Sequence, residues 1–149
     1  MKKLLSESHH SKNADIVLLV LRITIASLML THGLPKLEML LSGDPVQFPS
    51  VFGLSPVVSL GLTVFSEVFC SILIFVGFGT RLASIPLIIT MAIAAFMIHA
   101  ADPFGKKEMA ILYLLIYVVL FIAGSGRYSL DRFLAKEPAL ARKPFRNTN

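Results

Sequence analysis

Apolar residues in this chain gather into four long runs, separated by short polar or glycine- and proline-bearing stretches. They show neither strand alternation nor the one-sided stripe of a soluble helix. The runs predict helices over about 16–32, 56–78, 84–101 and 109–123. At ~1.5 Å of rise per residue, the 56–78 run is long enough to cross the ~30 Å hydrocarbon layer of a bilayer. It carries one carboxylate, Glu67, near its middle, where a charge persists only if it is protonated, paired or turned to a cavity. Ser55 followed by Pro56 makes a well-formed helix start. Pro35 disfavours helical geometry at Leu34, so the first helix is expected to end near Gly33. Residues 37–55 then form an outer loop whose Val46, Phe48, Val51, Phe52 and Leu54 suit a lid lying on the membrane surface.

The expected architecture is an all-α membrane protein, a four-transmembrane-helix bundle. A polar N-terminus (1–15) precedes the membrane domain (16–134), and a basic tail (135–149) follows it. A hydrophobic content of 55% against 15% charged residues agrees, since a soluble domain of 149 residues has no use for so much apolar surface. The net charge of +5 arises largely from Arg127 onward, beside the last run. Its expected partner is therefore anionic lipid, not nucleic acid. Ten basic residues fall on one side of the predicted topology and three on the other (Lys36, Lys106 and Lys107), which puts both termini in the cytoplasm. Lys2 and Lys3 are followed by a polar segment, not by the apolar core of a signal peptide, so the first helix is expected to be retained. Cys70 is the only cysteine, which excludes an internal disulfide and a CxxC motif, and the four histidines lack zinc-site spacing. No metal is expected.

Candidate chemistry lies in six polar residues in or beside the runs: Arg22, His32, Lys36, Glu67, His99 and Glu108. Arg22 and Glu67 are expected to pair inside the membrane; the competing reading is an arginine that snorkels to the interface. Thr63, Glu67, Cys70 and Ser71 share one helix face that must point away from lipid. Tyr113 and Tyr117 are expected to stack one turn apart, and 129–134 to form one amphipathic turn.

HGLPKL at 32–37, the intramembrane Glu67, GTRLAS at 79–84, His99 and GSGRYSLD at 124–131 together resemble the DoxX family. These are small four-helix bacterial membrane proteins named for likeness to the DoxD quinol-oxidase subunit. The likeness runs from residue 16 to about 134 and places Arg22, His32, Gly33, Lys36, Glu67, Arg81 and Glu108 at matching positions. It implies a multi-pass protein of the bacterial cytoplasmic (inner) membrane, linked to quinone electron transfer and redox or thiol stress. The chain has no recognisable haem, flavin or iron–sulfur motif, so the expectation is a quinone-handling subunit with an oxidoreductase partner or a second copy of itself. No residue is assigned a catalytic role. Two alternatives stay open: a non-catalytic scaffold for an oxidoreductase, and a small-solute or proton transporter. The latter would want an inverted repeat that the sequence does not show.

Overall fold

The structure is a computed structural model and describes residues 10–140. Of the expected polar N-terminus (1–15) and basic tail (135–149), residues 1–9 and 141–149 lie outside those described, and 10–15 and 135–140 are helical. Among the described residues the chain is wholly helical, with no strand. The elements are α1 (His10–Leu41), α2 (Pro56–Val76), α3 (Thr80–Ile98), α4 (Phe104–Ala123) and α5 (Leu130–Leu140). Helices α1, α2 and α3 are long and apolar enough to cross a membrane. Helix α4 has an apolar stretch at 109–123, but Lys106, Lys107 and Glu108 occupy its first turns and keep it short of that composition.

Helix α1 packs along α2, α2 on α3, and α3 along α4, with a lighter contact between α1 and α4. All four helices contribute to one core: Met29 of α1, Ile74 of α2, Leu87 of α3, and Tyr117 and Leu120 of α4 are essentially inaccessible. The tyrosines stack as expected, with Tyr113 and Tyr117 ring centres 6.1 Å apart. Outward positions are apolar too, as at Val17, Leu82 and Ile122, each more than 60% exposed. An apolar outside around a partly polar inside is the inverse of a soluble helical protein.

The first helix departs most from expectation. Helix α1 does not turn at Gly33 but continues through Pro35 to Leu41. Proline removes one i→i−4 bond, a loss that membrane helices tolerate when a neighbour secures the following turn. Gly33 supplies that neighbour: a Cβ on it would lie 3.1 Å from the Glu67 Cβ, so the two backbones meet where a larger residue would hold them apart. Helix α2 starts as predicted, with the Ser55 hydroxyl accepting from the Val58 N–H at 3.3 Å. It stops at Val76, because Gly77 takes the left-handed conformation (φ 75°) and its N–H closes on Leu73. Helix α3 begins at Thr80, directly after Gly79, rather than at 84, and α4 at Phe104 rather than 109, since Lys106 to Glu108 are good helix formers. The expected single turn at 129–134 is the longer α5.

Candidate functional site

Gly33 against Glu67 and Gly77 against Arg22 fix the antiparallel register of α1 and α2. Eleven residues separate Arg22 from Gly33, about 16 Å along the axis. Arg22 and Glu67 are therefore too far apart to pair, and the expected Arg22–Glu67 ion pair is not formed. The prediction failed because both ends of α1 were misplaced, at 16 and 32 instead of His10 and Leu41: Arg22 stands level with the Gly77 turn, at the very end of α2.

Lys36 takes the place beside Glu67. It lies one turn past Gly33, on the stretch of α1 that Pro35 was expected to abolish. Its Nζ donates to both carboxylate oxygens of Glu67 at 2.6 Å. The Glu67 side chain is 3% exposed and that of Lys36 is 29% exposed, so the pair has one dry and one wetter end. The contact supplies the partner that a carboxylate at membrane depth requires.

The pair lines a cavity of about 580 Å³ between α1, α2, α3 and the 42–55 segment. Its walls are apolar, with Phe48 and Phe52 from the segment and Ile89 and Ile93 from α3. The expected apolar lid thus contributes wall. Phe52 is the only non-glycine residue at positive φ (53°) among the described residues, in a tight turn closed by the Leu54 N–H on Val51. Polar groups enter at few points. Ser66 and Thr90 hydroxyls meet at 2.7 Å across α2 and α3, and His99 stands at the rim. Both helices change pitch here: α2 has a π turn over Phe65–Cys70, and α3 one over Ala94–Ile98, just before His99. The extra residue in the first turn lets consecutive Ser66 and Glu67 both face inward, and π turns of this kind frequently mark functional sites.

His99 Nδ1 lies 2.8 Å from Asp102 Oδ2, and Lys106 Nζ lies 3.7 Å from the other oxygen. The His99 hydrogen bond, followed by the Lys106 charge, holds the Asp102 carboxyl below its usual range. A carboxyl lowered on folding contributes stability that is present above its ordinary pKa and lost as pH falls through the lowered value. In His99→Leu, the Asp102 titration followed by carboxyl NMR is expected to move up toward the ordinary carboxylate value. An unmoved titration would show that the ring does not hold this carboxylate.

Of the six sequence candidates, Lys36, Glu67 and His99 share the cavity. His32 is exposed, its ring edge-on to Tyr113 at 5.9 Å, and Glu108 is exposed in the first turns of α4. Arg22 is 2% exposed and belongs to the opposite end. There it donates from Nη1 to the Ser125 carbonyl at 2.6 Å and from Nη2 to the Tyr128 carbonyl at 2.8 Å. Asp131, which sequence reasoning did not single out, completes that fastening: its Oδ1 accepts from the Gly79 N–H, and its own N–H donates to the Gly77 carbonyl. The GTRLAS and GSGRYSLD motifs therefore hold each other. Ser66, Thr90 and Ser59 were also missed as site residues. Thr90 offered a signal as the one hydroxyl in the middle of the third run.

A buried ion pair lining an apolar cavity, enclosed by membrane-length helices, places the chain among helical membrane proteins. The chain matches the DoxX family over residues 17–100 and belongs to it. It is 28% identical to the Bacillus subtilis (strain 168) protein named "Putative oxidoreductase CatD" over 85% of this chain and 92% of that one. An "Uncharacterized protein" of Haemophilus influenzae (strain ATCC 51907 / DSM 11121 / KW20 / Rd) is 30% identical over 78% of this chain and 90% of its own length. No solved structure matches the chain significantly.

Proposed function

We propose that the 580 Å³ cavity binds a quinone or quinol headgroup, and that the protein is the quinone-handling subunit of a membrane oxidoreductase. The observation that carries the reading is the Lys36–Glu67 pair facing an otherwise apolar slot. A quinone ring needs flat apolar walls and a donor for each of its two carbonyls, and the cavity offers Lys36 on α1 and His99 at the end of α3. Reduction to quinol takes up two electrons and two protons. The electrons come from the partner, and Lys36 and His99 are placed to exchange protons at the ring oxygens. The kinship with the Bacillus subtilis protein, whose name is that of an oxidoreductase, agrees.

In this reading α4 is a fourth span, with Lys106 and Lys107 snorkelling to the interface. Both termini face the cytoplasm of a bacterial inner membrane, in keeping with a distribution of basic residues that becomes ten to two once Lys36 is counted inside α1.

Titration of a short-chain ubiquinone and a menaquinone analogue into the purified protein in nanodiscs, followed by thermal shift, tests the reading. Wild type should saturate with at least one of them. Lys36→Gln removes a charged hydrogen bond and should weaken binding by about 10- to 100-fold. Ala94→Phe, which leaves both partners of the ion pair in the chain and narrows the cavity from the α3 wall, should abolish binding while the protein stays folded. No saturable binding in wild type, with an oxidoreductase still co-purifying, would replace the quinone site by the scaffold role.

A further inference from the structure

A second cavity, of about 820 Å³, opens at the far end of the fold from Lys36 and Glu67. Its walls are the start of α3, the 124–127 turn and the start of α5. Arg81, Arg127 and Arg132 line it, together with Asp15 and Asp131. None of the three arginines has a carboxylate within salt-bridge distance among the described residues. The two aspartates are engaged by backbone instead: Asp15 accepts from the Arg127 N–H and Asp131 from the Gly79 N–H, both at 2.9 Å. Arg81 spends one N–H on the Ile122 carbonyl, whereas the Arg127 and Arg132 side chains make no hydrogen bond among the described residues.

The start of a helix adds to the positive charge. Helix α3 starts on this cavity behind Gly79, which has no side chain to cap it; the Asp131 carboxylate takes the Gly79 N–H, and the positive end of the helix dipole lies at the cavity with the arginines. Guanidinium forks beside the start of a helix match the oxygens of a phosphate. The rim is apolar: Leu82 lines the cavity at 74% exposure, and Ile122 beside Arg81 is 68% exposed. A ligand with a phosphate and hydrocarbon chains meets both surfaces.

We infer that this cavity is a specific site for the phosphate of an anionic phospholipid in the leaflet on the side of α5, distinct from general attraction to the basic tail. The inference does not depend on the quinone reading, since it concerns the opposite end of the fold.

The test uses the full chain in nanodiscs of phosphatidylcholine, with and without phosphatidylglycerol, read by native mass spectrometry of retained lipid and by thermal shift. Wild type is expected to retain phosphatidylglycerol selectively and to gain stability from it. Arg127→Gln/Arg132→Gln leaves every hydrogen bond described above in place, and at roughly 1 kcal/mol per basic residue it should weaken retention by about 30-fold. Lys12→Gln, an equally exposed charge on α1, should change it little. The unfolding temperature of the double variant in phosphatidylcholine alone guards against a folding defect, and it should equal that of wild type. Equal retention of both lipids, equal loss in Lys12→Gln, or unchanged retention in the double variant would each overturn the site. If inorganic phosphate alone stabilises wild type as much as phosphatidylglycerol does, the ligand is a soluble phosphate and the lipid assignment fails.

Discussion

Lys36→Gln is expected to cost about 3–5 kcal/mol of stability, because it leaves the Glu67 carboxylate buried at membrane depth without a counter-charge. The matching change, Glu67→Gln, should cost less, about 1–3 kcal/mol. The asymmetry follows from exposure: the Lys36 side chain is 29% exposed and can swing its ammonium toward the interface, whereas Glu67, 3% exposed, has nowhere to go. Lys36→Gln/Glu67→Gln should recover part of the larger loss, since two amides can hydrogen-bond across the same gap and no charge is stranded. Thermal unfolding of the four proteins in one detergent measures the cycle, and a coupling of at least ~1.5 kcal/mol is expected for residues in direct contact. A coupling near zero would mean that the clamp does not exist in the membrane. The same set separates structure from function: the double variant should regain stability without regaining quinone binding, because Lys36 is proposed to serve both the carboxylate and the ligand.

Several of these conclusions were legible in the sequence, and the misses share a physical origin. The apolar runs, the Ser55-Pro56 helix start and the need to shelter Glu67 could all be read directly, because hydrophobicity and capping act locally. The identity of Glu67's partner could not. It depends on whether α1 survives Pro35, and that is decided by the close approach of Gly33 to α2, a tertiary contact that overrides the local preference at Leu34. Once α1 ran on, Lys36 moved from an expected loop into the site, and Arg22 fell one helix-end away from it. The π turns were equally hidden, since an inserted residue leaves no trace in composition, and without them Ser66 and Glu67 could not both be read as facing inward. The two glycine-rich motifs were visible as a family likeness. Their reason is a set of backbone bonds between turns some fifty residues apart, such as Gly79 to Asp131.

Arg22→Gln is expected to cost about 3–5 kcal/mol for a reason unrelated to Glu67. The guanidinium donates to the Ser125 and Tyr128 carbonyls, and each bond to a charged donor is worth about 1.5–3 kcal/mol. With Arg22 gone, both carbonyls lose their donor, and a void opens against Gly77, whose lack of a Cβ makes room for the guanidinium. Arg22→Lys should recover little, since an ammonium is a point donor and cannot span two carbonyls as the planar fork does. A snorkelling arginine would behave oppositely: lysine would replace it with no loss. Combined with Glu67→Gln, the effects should add within about 0.5 kcal/mol, because the two sites lie about 16 Å apart and share no partner. Hydrogen exchange locates the damage. The Gly79 N–H, held by Asp131, and the Arg127 N–H, held by Asp15, should lose protection in Arg22→Gln well before amides around Glu67 do, because they belong to the turn that Arg22 fastens. Loss of protection starting at the Glu67 end, or a coupling above ~1 kcal/mol between the two sites, would restore the direct pairing that the register of α1 and α2 argues against.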